Sequence, residues 1–160
     1  MYHNTNTPNK EDAMQERDTD ELLKLLKEFE TSAQLKTALE DTDAFSGNPL
    51  YADIPAFLEQ RIATCGLDKA EVVRRSGLNR TYAYQILQGG RMPSRDKFVA
   101  LCLATDTDLL QVQRVLSACK LSRLYAKDKR DAVLIFALEN KLSLLELNQL
   151  LYDMGLAVLE

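Results

Sequence analysis

Apolar side chains recur along this chain at the spacing of amphipathic helices, and the pattern predicts an all-α protein. Leu22, Leu25, Leu26 and Phe29 form one stripe. Leu35, Ala38 and Leu39 form a second after a break at Thr31-Ser32, either of which can cap it, so residues 18–48 are expected to make a helical arm. Residues 1–17 are polar, with few apolar side chains, and are expected to be a disordered tail. Gly47-Asn48-Pro49 then signals a turn or linker. Beyond it, Ile54, Phe57, Leu58 and Ile62 stand at i, i+3, i+4 and i+8 and mark a helix from Asp53 to Cys65.

Two short helices separated by a tight turn follow. Asp68 can cap the first, with Glu71 three residues on completing a capping box, and Val72 and Val73 supply its buried face. Gly77 fits a turn position that needs positive φ, and Leu78 anchors the turn in the core. Asn79 can cap the second helix, Arg80 to Gln88, which Gly89-Gly90 ends. Ser94, after Met92-Pro93, caps another helix from Arg95 to Thr105.

The C-terminal part repeats itself at an offset of 35 residues without gaps. Arg95-Asp96 recurs as Arg130-Asp131, Leu103 as Leu138, Leu109-Leu110 as Leu144-Leu145, Leu116 as Leu151, Leu121 as Leu156 and Leu124 as Leu159. Each unit reads as a helix, a loop, a second helix and a leucine-bearing tail, so residues 119–160 are expected to stack on the preceding pair as an extension of it. Ser143 and Glu146 repeat the capping-box spacing. The last run, Gly155-Leu156-Ala157-Val158-Leu159, is too apolar for water and should enter a groove, its own or a twin subunit's.

From Asp68 to Gly90 the chain resembles the helix-turn-helix domains of the Cro and phage-repressor (XRE) class, and the resemblance extends over about residues 52–118. It departs from that class at Val73 and Ala83, where large and small residues are exchanged, and at Tyr84, where a small polar residue is usual. The resemblance implies a cytoplasmic transcriptional regulator that binds double-stranded DNA as a homodimer, with Arg80–Gln88 in the major groove. Base edges would then be read by Asn79, Arg80, Thr81, Tyr84 and Gln85, with Arg80 suited to guanine and Gln85 to adenine. Lys69, Arg91, Ser94 and Arg95 would hold phosphates. Arg130 occupies the place of Arg95 in the second copy, outside the motif, which makes a structural pair at a helix start the alternative for Arg95.

Charge is partitioned in keeping with that reading. The formal net charge is −4, yet residues 52–105 carry 8 basic and 5 acidic side chains, against 5 and 11 in residues 1–51 and 7 and 8 in residues 106–160. A basic patch on an acidic protein can bind phosphate while its remainder discourages indiscriminate binding. No apolar run reaches the length of a membrane span. Cys65, Cys102 and Cys119 lack metal-site spacing and the only histidine, His3, lies in the tail, so neither a metal, a cofactor nor an enzymatic role is expected. The competing reading is an adaptor or antitoxin-like module that binds a protein partner through Tyr82 and Tyr84, which with Arg80 have the composition of an interface hot spot.

Overall fold

The computed structural model describes residues 19–40 and 48–160, and the chain divides after Pro49 into two units. The expected tail at 1–17 and Gly47 lie outside the described residues. In the first unit, α1 (Thr19–Glu28) and α2 (Ser32–Glu40) are the two stripes of the arm. Thr31 is the cap. Its Oγ1 accepts from the Gln34 amide at 3.3 Å, and Gln34 Oε1 accepts in return from the amides of Thr31 and Glu30 at 3.3 and 2.9 Å. No described arm residue is buried, and Leu23, Leu26 and Leu39 are exposed.

The second unit is all helical among its described residues. A short 3-10 turn (Pro49–Ala52) leads to α3 (Ile54–Cys65), α4 (Lys69–Ser76), α5 (Arg80–Leu87), α6 (Arg95–Ala104), α7 (Leu109–Ala118), α8 (Lys129–Glu139) and α9 (Leu144–Asp153). Asp53 is the cap of α3 and not its first residue: its Oδ1 accepts from the Ala56 amide at 3.1 Å, which leaves Ile54 and Pro55 to open the helix. Gln88 likewise stands just beyond α5 as its C-cap. Phe57, Leu58, Ile86, Phe98, Val112 and Leu116 are buried in one core, with Phe57 between Tyr51 and Phe98 at ring distances of 5.9 and 6.2 Å. Val73 and Ala83 both lie in that core, so the exchange of large and small side chains is made inside it.

The repeat in sequence is a repeat in space. Helix α6 corresponds to α8 and α7 to α9, and the start and end of α7 and α9 are matched residue for residue across the offset. Positive φ recurs at Asp106 and Lys141 and at Lys120 and Gly155. The Gln113 side chain accepts from the Leu124 amide and donates to the Leu124 carbonyl, both at 2.8 Å; Asn148 does the same for Leu159, at 2.8 and 3.0 Å. The apolar tail thus tucks into its own subunit, with Leu159 buried and Arg130 donating to the Ala157 carbonyl.

The two copies interlock instead of stacking end to end. Helix α6 packs on α8, α7 on α8, and α9 on α6. Arg95 of the first copy grips Asp131 of the second through Nη1 and Nη2 at 3.0 and 2.7 Å, and Arg130 of the second grips Asp96 of the first at 3.0 and 2.8 Å. Reciprocity of that kind is the mark of a local twofold relation. Residues 50–160 form one compact unit, in which α6 belongs to both halves of the interlock.

Candidate nucleic-acid interface

Helix α5 is short and fixed at both ends. Asn79 Oδ1 accepts from the Tyr82 amide at 3.2 Å, and Gln88 closes the other end on Tyr84 and Ile86 carbonyls. Its inner face, Ala83, Ile86 and Leu87, is buried, and α5 packs on α3 and α4. The outer face therefore presents Arg80, Thr81 and Gln85, all exposed. The preceding α4 is held by Asp68, whose Oδ1 accepts from the Glu71 amide at 2.8 Å. Between the helices, Gly77 has φ of +66°, and a Cβ there would overlap Leu144 Cδ2, at the start of α9.

The sequence-predicted residues fare differently. Arg80 lies over the Tyr84 ring, 5.8 Å from its centroid, and Tyr84 itself is half-buried against the core. Asn79 spends its side-chain oxygen on the cap, so its amide donors are what remain for a base edge. Ser94 Oγ is likewise engaged, accepting from the Lys97 amide at 3.4 Å. Lys69 and Arg91 are exposed and without an ion-pair partner among the described residues.

Arg95 is a correction. Its guanidinium is bound to Asp131 at two points and also approaches the Arg123 carbonyl, and the side chain is 24% exposed. A fork committed to a buried carboxylate is not available to a phosphate, and the alternative, a structural pair at a helix start, is what the structure contains. The capping box at Asp68 is a second correction. Glu71 turns its carboxylate forward to Arg74 Nε at 2.9 Å and Arg75 Nε at 3.0 Å. Hydrogen bonds, from Arg74 first and Arg75 second, lower the carboxyl pKa to about 2. Two of the basic residues of the 52–105 segment, Arg74 and Arg75, therefore share Glu71 as a counter-charge.

Lys97 is not among the predicted site residues, and Tyr82 is read from the sequence only as a surface for a protein partner. The Tyr82 ring has Lys97 Nζ at 4.1 Å and the Arg91 guanidinium at 4.7 Å from its centroid. This places two cations from the start of α6 and the loop before it on one side chain of α5. The sequence carried only a weak signal of it, since the three residues fall on different elements and meet through the fold of the 88–94 loop. With Arg91 and Lys97 held beside the outer face of α5, and Arg80 and Gln85 on it, the arrangement offers fixed cations flanking exposed hydrogen-bonding groups. Chemically, such a surface suits a polyanion whose interior edges carry donors and acceptors.

No helix among the described residues is long and apolar enough to cross a membrane. No family model matches the chain, and neither a curated protein nor a solved structure matches it.

Proposed function

We propose that the chain is a sequence-specific regulator of transcription that binds duplex DNA in the cytoplasm as a homodimer, with α5 entering the major groove, the role implied by its resemblance to the Cro and phage-repressor class. The observation that carries this reading is the division of α5. One face is locked into the core, and the other presents Arg80, Thr81 and Gln85 beside cations held on Tyr82. A reading helix needs such a division, because base discrimination requires side chains whose backbone does not shift. Phosphates would be met by Lys69, Arg91 and Lys97.

The adaptor reading has less in its favour. Tyr82 and Tyr84 are both half-buried against the core, and each ring has a guanidinium or ammonium group over it, which leaves little aromatic surface for a protein partner. The two readings separate in one experiment: selection of duplexes from a random pool at near-physiological salt, followed by anisotropy titration of the wild type and Arg80→Ala. The expected result is an enriched motif, with the variant losing about 1–3 kcal/mol and relaxing its choice at one position. Weak, salt-sensitive binding indifferent to Arg80, with no motif enriched, would overturn the proposal.

A further inference from the structure

The two copies of the helix pair are alike in backbone and unlike in what covers them. On α6, Ala100, Leu101 and Ala104 are buried and Lys97 is half-buried, on a helix against which α4 packs. At the same offset on α8 stand Ala132, Ile135, Phe136 and Glu139. Ala132 and Ile135 are half-buried, Glu139 is exposed, and Phe136 is 51% exposed where its twin Leu101 is fully buried. The principal neighbours of α8 are α6, α7 and α9. The seat that a helix fills in the first copy is thus open in the second.

The charges on that face indicate what fits it. Lys129, Ala132, Phe136 and Glu139 stand at i, i+3, i+7 and i+10, which confines them to a stripe about 80° wide. Lys129 is the first residue of α8 and Glu139 the last, and both are exposed. The stripe runs cation, apolar centre, anion. Turned end for end it matches itself, so an antiparallel copy sets Lys129 against the partner's Glu139 at both ends and Phe136 against the apolar middle. A twofold axis supplies such a reversed copy.

We propose that this face of α8 is where a second copy of the chain docks, α8 antiparallel on α8. The proposal names the dimer surface of the DNA-binding reading and rests on that reading for its purpose. It adds an interface that lies outside the helix-turn-helix and follows from the internal duplication.

Sedimentation of the full chain tests it, with Phe136→Asp, Lys129→Glu, Glu139→Lys and the double exchange Lys129→Glu/Glu139→Lys. The charge variants are suited to the purpose because an acid at the start of α8 and a base at its end each favour the helix dipole, so lost association cannot be ascribed to a lost helix. The wild type should be dimeric, and Phe136→Asp should raise the dissociation constant by roughly 30-fold or more. Each single charge change should weaken association by about tenfold, with the double exchange returning it to within roughly threefold of the wild type. A wild-type chain that stays monomeric up to its solubility limit, or a dimer indifferent to Phe136→Asp and to both charge changes, would overturn the proposal. Monomers that still enrich a DNA motif would overturn it and leave the DNA-reading role of α5 standing without the homodimer; charge-dependent dimers that enrich none would support this interface and overturn the DNA reading.

Discussion

Gly77 meets two demands at one position. Its φ of +66° suits a residue without a Cβ, and Leu144 occupies the space a Cβ would take. Gly66 meets only the first, with φ of +67° and open space around it. Replacing each by alanine separates the two effects. Gly66→Ala should cost about 1 kcal/mol from backbone strain alone, and Gly77→Ala at least about 1 kcal/mol more, because Leu144 must also move. Urea unfolding of the two variants measures the difference, and equal losses would show that Leu144 yields without cost. Only half of this is written locally. That Gly77 turns the chain is legible from the capped helices on either side, whereas the presence of Leu144 depends on how the second copy folds back.

At the scale of elements, what the sequence makes legible is what lies within four residues. Asp68, Asn79, Ser94 and Ser143 all act as N-caps through the amide three residues on, because a cap joins one side chain to one exposed amide close by in the chain. The helix stripes are legible for the same reason, and the repeat is legible because the chain can be compared with itself at a fixed offset. The Arg95–Asp131 and Arg130–Asp96 pairs are not, since the repetition of an Arg-Asp step does not tell whether each arginine pairs within its own copy or across. The Tyr82 cluster is hidden likewise by the loop that brings Arg91 and Lys97 to it.

The crossed pairs join α6 to α8, and their loss should be felt as loss of fold. Asp131 is 5% exposed and also accepts from the Tyr125 amide at 2.9 Å. Arg95→Ala strands that carboxylate and should cost about 3 kcal/mol. Arg95→Ala with Asp131→Asn should cost less than the two single changes summed, since they share one interaction. Chemical denaturation of the three variants gives the answer, and a loss under about 1 kcal/mol for Arg95→Ala would mean that the pair is dispensable.

For the whole molecule, the interlock decides how the chain can be divided. Ending it after Ala118 removes α8 and α9, uncovers the side of α6 that packs on them and leaves Arg95 and Asp96 without their partners. Such a fragment should show no cooperative thermal transition by circular dichroism, while residues 50–160 should melt as a single unit. A fragment 50–118 that melts sharply would show that the region covered by the resemblance folds without the second helix pair. The duplication also has a use outside stability. Two places beyond the end of α7 and of α9 the backbone enters the left-handed region, and the chain answers with Lys120 once and with Gly155 once. The protein thereby carries its own control: two amino acids posed the same conformational question, in one molecule and against one backbone, where such comparisons are ordinarily made between different proteins.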